Sequence, residues 1–571
     1  MNRPNDEPNK ETTSPPATAP RTVALAQGVK FLLAAVILTV VSVLTATGLA
    51  RRLKAPAPEE KKAEGTGIPA RLFAGWDKPD LVILLSAQQH GYMMPCGCSY
   101  PQVGGLERRY NFLQMLKARG WPVVAVDLGD VPQKRGPANL PNVQGLIKYR
   151  YSMKALDAMG YLGVGAGEYE AALSLGRVEG EWAANSQTPA VLVGNLKEPD
   201  NFPFLKPTET RTVPGANIKV GVTSVVGPSV AENIKDPSVK FAVQPPKGVA
   251  QVLPEQLKKM QGEKVDLPIL LYHGLVTPRK GDGVKEALRC AEAFPQFPVI
   301  VCLSEEDEPP ANPNFVDHPQ TGTRNYVFRL GHKGKHVGVL GVWRTGQANA
   351  PFKYKYQLVE MGVEYVTPEG KEAENPIGRM MEEYTRELKK DNYLARYGQS
   401  SHIVQAMNPV AKLRNPGDGV PTYVGSAACK KCHEEAFEVW KGSDHSHAYK
   451  TLVDAKHPSL TQYDGECIVC HTVGFGYKTG FTDEIKTQHL ENVGCESCHG
   501  PASLHVKNPN DVEWQARMNQ PWRGPKEKGN IKAKNLAIDK FCQSCHDIDN
   551  DVNWIHGAFE RKWKKIVHPK P

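Results

Sequence analysis

The stretch Cys429-Lys430-Lys431-Cys432-His433 has three counterparts downstream: Cys467-Ile468-Val469-Cys470-His471, Cys495-Glu496-Ser497-Cys498-His499 and Cys542-Gln543-Ser544-Cys545-His546. Each reads C-x-x-C-H. The spacing has a chemical reason. Two thiols two residues apart can form thioether bonds to the two vinyl groups of one porphyrin, and the His that follows reaches the iron as proximal ligand. Paired C-x-x-C zinc sites are the rival reading. They do not call for a His after every second Cys, and His is only 17 of 571 residues. The expectation is four covalently bound haem c groups. Cys429, Cys432, Cys467, Cys470, Cys495, Cys498, Cys542 and Cys545 would carry them, with His433, His471, His499 and His546 on the irons.

A chain of 571 residues is too long for one ordinary core, so several domains are expected. The formal charge is +9, but four haems would bring roughly eight propionate carboxylates. No basic-aromatic patch accompanies the charge, so no nucleic-acid partner is expected. Outside the four motifs lie Cys96, Cys98, Cys290 and Cys302. The Cys96-Gly97-Cys98 pair is either redox-active or metal-ligating, or it forms a structural disulfide with Cys290 or Cys302.

Toward the N-terminus, residues 1–30 are polar and read as a disordered cytoplasmic tail. Phe31–Ala50 is an uncharged apolar run, FLLAAVILTVVSVLTATGLA, long enough at helical rise to cross a bilayer. It is expected to be an uncleaved single-pass anchor in a bacterial inner membrane, with a signal peptide as the rival. Arg51, Arg52 and Lys54 would favour a cytoplasmic C-terminal side. Haem attachment to C-x-x-C-H takes place outside the cytoplasmic membrane, so both large domains are expected in the periplasm. Residues 51–79 read as a linker.

Residues 80–366 alternate short apolar runs with helical patterns. Leu81–Ser86, Val123–Leu128, Ala190–Asn195, Lys219–Gly227, Pro268–Gly274 and Pro298–Ser304 read as buried strands. Leu106, Tyr110 and Leu113 share a helical face ending near Gly120, and Tyr149, Met153 and Leu156 repeat that spacing. The alternation implies a layered α/β domain. Tyr326–Trp343 reads as a hairpin turning at Gly334. In the helical linker expected over 367–421, Asn375 caps a helix that Pro376 opens, with Ile377, Met381, Tyr384 and Leu388 as its apolar stripe.

The order of elements from Asp80 to Met361 resembles the metallophosphoesterase domain of secreted 5'-nucleotidases. Gln88–Gly91, Gly104–Arg109, Val126–Asp130, Gly165–Glu168, Gly194–Asn195 and Tyr272–Gly274 carry the likeness. The family pattern is degenerate here. Its first Asp is Gln88, its Asn ligand is Ala166, its catalytic His is Gly167, and Glu305-Glu306-Asp307 stands where a G-H-x-H is expected. His90, Asp130 and His273 remain.

Residues 422–571, with ECIVCHTVGF, VGCESCHGP, FCQSCHD and WKKIVH, resemble the tetrahaem cytochrome c-554 family. The resemblance implies a mostly helical fold with close-packed haems that serves electron transfer. The residues add to this. His433, Phe437 and Trp440 share one helical face, and Met518 is the only Met after Met407, so at most one haem can take a Met ligand. His445, His447, His457, His489, His505, His556 and His568 are spare, which favours paired-His irons. Matched motif by motif, the resemblance puts His505 distal to the first haem, at Cys429. It puts His445 distal to the haem at Cys495, with His447 as its substitute, and His568 distal to the last. The haem at Cys467 is left without a matched partner.

The chain therefore reads as a multidomain protein: an N-terminal transmembrane helix, a layered α/β metallophosphoesterase-like domain and a mostly α multihaem cytochrome c domain. Electron transfer between redox protein partners is the leading expectation. An oxidoreductase acting on a small nitrogen or sulfur compound at an open haem is the alternative. A phosphoester hydrolase comes third.

Overall fold

Five consecutive apolar residues, Leu81–Leu85, can bury both faces of a strand, and these and the Ser86 that follows are all buried. A computed structural model describes residues 67–95, 100–186, 188–243, 249–276, 285–406, 419–519, 531–554 and 558–568. The expected tail, the Phe31–Ala50 anchor, most of the linker, and Cys96 and Cys98 lie outside the described residues. Among the described residues no helix is long and apolar enough to cross a membrane.

The strands run in chain order as β1 (Leu81–Ser86), β2 (Val123–Asp127), β3 (Tyr161–Gly165), β4 (Ala190–Leu192), β5 (Thr208–Val213), β6 (Ile218–Val226), β7 (Leu267–Leu275), β8 (Val299–Leu303), β9 (Asn314–His318), β10 (Thr323–Phe328), β11 (His336–Gln347) and β12 (Ala350–Glu360). They form two six-stranded sheets, ordered β12-β11-β1-β2-β3-β4 and β5-β6-β7-β8-β10-β9. Parallel pairs β1–β2, β2–β3 and β3–β4 centre the first sheet. Parallel pairs β6–β7, β7–β8 and β8–β10 centre the second. One buried cluster spans residues of both sheets, such as Val164 and Val222, together with the helices Leu106–Ala118 and Gly145–Met159. A second cluster joins the other face of the second sheet to the helices Val249–Gly262 and Glu286–Ala293. The result is a helix–sheet–sheet–helix sandwich.

Several sequence expectations are corrected. Tyr326–Trp343 is not a hairpin. β10 belongs to the second sheet and β11 to the first, so the chain crosses between sheets there. Gly334, at φ 62°, makes the crossing. A Cβ on it would lie 2.6 Å from Arg109 Nη2. Cys290 and Cys302 form no disulfide. Both are free thiols inside the second cluster, and burial pushes each up to about 12. The end of the expected linker is part of the core: Phe73 is buried and packs edge-on against Trp76 and Trp121.

The Asn375 side chain accepts from Ile377 N and caps the helix Pro376–Lys390, which buries Ile377, Met381, Tyr384 and Leu388. Beyond it the chain makes short helices around three small apolar clusters. The largest gathers Tyr397, Tyr423, Ile468 and Phe481. Such thin cores suit a lobe whose interior is completed by large apolar prosthetic groups.

Candidate haem-binding site

Cys, Cys and His at positions i, i+3 and i+4 fall on one side of a helical turn. The motifs adopt that turn. His433 N bonds Cys429 O at 3.0 Å, and His546 N bonds Cys542 O at 2.9 Å. Gly465–His471 and Cys495–His499 are themselves helical. Each motif thus offers two sulfurs and an imidazole to one side.

An iron between two imidazole nitrogens, each about 2 Å away, puts the ring centroids about 6 Å apart. The structure brings together three such pairs. His433 faces His505 at 6.1 Å, His445 faces His546 at 6.1 Å, and His499 faces His568 at 6.0 Å. The Nδ1 of His505 is buried without a hydrogen-bond partner, as suits a nitrogen kept for a metal. Among the described residues no second imidazole faces His471. These donor sets fit haem c.

The neighbours of His445 and His568 are the reverse of those expected. His445 stands at the fourth motif rather than the third, and His568 at the third rather than the fourth. Sequence order does not dictate which ring reaches which motif, because the motifs interleave in space. The Cys429 and Cys495 thiols are in hydrogen-bond contact, as are those of Cys470 and Cys545. Cys498 lies near Cys542 and Cys545. The motifs are therefore linked in the order first, third, fourth, second. His447 is exposed, next to Asp444 and Ser446, and faces no imidazole among the described residues.

Groups outside the motifs orient three of the four motif imidazoles. His471 Nδ1 donates to Ala448 O at 2.6 Å, His499 Nδ1 to Met518 O at 2.7 Å, and His546 Nδ1 to Asp551 Oδ2 at 2.9 Å. Each bond fixes the tautomer and leaves Nε2 as the donor atom for a metal. Met518 thus contributes its carbonyl, and its side chain packs in a core with Trp514. Burial, with His546 adding to it, pushes His445 down to about 4, so its ring is neutral and able to ligate. The buried Glu496 carboxylate accepts from the N–H groups of Val424, Gly425 and Ala502, tying the third motif to the start of the first.

In the α/β domain His90, Asp130 and His273 do not assemble a metal site. No group of three His, Cys, Asp or Glu side chains able to hold a metal occurs among the described residues. His273 is fully buried and takes up the space next to Gly167, where a Cβ would lie 2.2 Å from its Nδ1 and 2.8 Å from Asp130 Oδ1. His90 stacks on Tyr169 and His332. Burial, with His332 and Lys333, pushes it down to about 3. The segment beside His332 meets the C-terminal lobe. Lys333 pairs with Asp549, Lys335 reaches the same carboxylate at 2.9 Å, and Gln102 Nε2 donates to Asp549 O at 2.8 Å.

Residues 428–500 match the sequence family described as cytochrome c554 and c-prime. The cytochrome c-554 of Nitrosomonas europaea is 30% identical over 135 residues, covering 22% of this chain and 57% of that protein. The chain thus spans a little over half the length of this relative. The solved reduced state of cytochrome c554 from Nitrosomonas europaea is similar over 26% of this chain and 85% of that one, at 24% identity and a TM-score of 0.19. The 5'-nucleotidase precursor from Thermus thermophilus is similar over 56% of this chain and 61% of its own, at 20% identity and a TM-score of 0.43.

Proposed function

We propose that this chain is a multihaem c-type cytochrome, anchored in a bacterial inner membrane with both large domains in the periplasm, that passes electrons between redox protein partners. The observation that carries the reading is the set of facing rings His433–His505, His499–His568 and His445–His546 beside three of the four C-x-x-C-H turns. Haem c, bound there, supplies a one-electron ferric/ferrous couple. The protein's part is to hold and orient. The four Cys pairs would carry the haems, the facing His pairs would hold three of the irons, and Ala448, Met518 and Asp551 orient His471, His499 and His546. Closed coordination suits electron relay, since the ligand set need not change with oxidation state. The Phe31–Ala50 run and the chemistry of thioether attachment support the location.

A second reading has its own observation. His471 faces no other imidazole among the described residues, so an iron on it keeps a position for a small nitrogen or sulfur compound. Phosphoester hydrolysis is disfavoured, because the metal ligands are replaced and the space is filled.

The test is the mass of the denatured protein purified from membranes. Four haem additions are expected, and three after Cys467→Ala with Cys470→Ala. Fewer than four on the unsubstituted chain would contradict the reading.

A further inference from the structure

The α/β domain also grips the helix that carries the second motif. Asp464 caps its helix, accepting from Glu466 N at 2.8 Å. Gln144 Nε2 donates to Asp464 Oδ1 at 2.9 Å, and Tyr384 OH donates to Asp464 Oδ2 at 3.1 Å. Gln144 Oε1 accepts from Gly465 N and from Tyr397 OH. Beside this buried knot Lys148 Nζ lies 2.7 Å from Glu466 Oε2, with the two side chains only 12% and 14% exposed. Gln133 accepts from Lys148 Nζ at 2.7 Å and donates to Glu466 Oε1, closing the ring of contacts. Two carboxylates thus stand just ahead of Cys467, Asp464 three residues and Glu466 one residue before it, and Lys148 acts on both.

We propose that Lys148 is a positioning residue for the second haem: it holds Glu466 and offsets the acidic pair at the start of the helix bearing Cys467, Cys470 and His471, and so raises that haem's reduction potential. The inference rests on the haem reading above. Its physical basis is electrostatic. A ferric centre carries one more positive charge than a ferrous one, so a nearby cation in a poorly solvated site favours the reduced state, and an unopposed carboxylate favours the oxidised state. Fixed by Gln133 and buried against Glu466, Lys148 cannot swing into solvent to be screened. The α/β domain then has an electronic role: its docking sets the driving force at the one motif whose His faces no second ring among the described residues.

The test is a spectroscopic redox titration of the full-length holoprotein. The centre absent from a Cys467→Ala/Cys470→Ala variant identifies the second haem. Lys148→Met should shift the oxidised-to-reduced ratio of that centre about tenfold toward oxidised, about 59 mV for a one-electron couple. Glu466→Gln should shift it the other way, the double variant should return toward the starting value, and Lys148→Arg should hold it. If Lys148→Met does not fold, Glu466→Gln and Lys148→Arg still decide the matter. Equal shifts of all centres, or no shift in the second with either charge removed, would overturn the proposal. The number of titrating centres in the unsubstituted protein tests the haem reading separately, since a shift confined to one centre stands whatever that number is.

Discussion

His445 faces His546 with ring centroids 6.1 Å apart, although the second and third motifs lie between them in sequence. The chain returns past its own earlier turns, so a ring beside the first motif reaches the last. His445→Ala is therefore expected to open the haem on Cys542 and Cys545 and convert one low-spin iron per chain to high spin. Paramagnetic resonance of the oxidised variant checks this. In a Cys542→Ala/Cys545→Ala background the same change should remove no further low-spin centre; if it does, His445 serves another iron.

Docking of the two lobes at Asp549 is expected to depend on pH. Burial alone would raise its carboxyl, but Lys333 and Lys335 outweigh burial and hold it below the usual range. A depressed carboxyl contributes stability above its unfolded value of about 3.9 and loses it as pH falls through the lower folded value. Asp549→Asn should cost about 2–3 kcal/mol near neutral pH. It should also flatten the acid limb of the thermal-stability profile below about pH 4. An unchanged acid limb would mean that the contact is not formed in solution.

Gly167 has no room for a side chain, because His273 occupies the space. Gly167→Ala should destabilise the protein by about 1–3 kcal/mol through overpacking. Gly167→His, with a larger side chain in the same filled space, should destabilise it further. It should give no nucleotide hydrolysis with manganese, zinc or cobalt. Turnover by the His variant would show that His273 moves aside and that the cleft is repairable.

The parts of the fold legible in the sequence share a cause. β1 and β7 bury both faces, so they appear as unbroken apolar runs, and the helix Pro376–Lys390 shows its cap and stripe together. β3 is not legible in the sequence, because Gly163 and Gly165 interrupt its apolar run. β12 left a readable trace, since Phe352, Tyr354, Tyr356 and Leu358 alternate with mostly exposed residues. The crossing at Gly334 was not legible, because a sharp turn between two apolar runs looks alike whether the strands join one sheet or two. The proximal ligands are local and follow from spacing. The facing rings depend on tertiary return of the chain, which is why His505 stands at the motif that the likeness implies while His445 and His568 stand at each other's. Lys148 and Gln144 lie in the other domain, and nothing in their local sequence points to a haem.

The most direct test of the central claim is spin quantitation of the oxidised full-length protein by electron paramagnetic resonance, normalised to haem content. Four irons per chain are expected, three low-spin from His433–His505, His499–His568 and His445–His546, and one high-spin on His471 that shifts when nitric oxide is added. Four low-spin irons with no response to nitric oxide, or fewer than four irons, would contradict it.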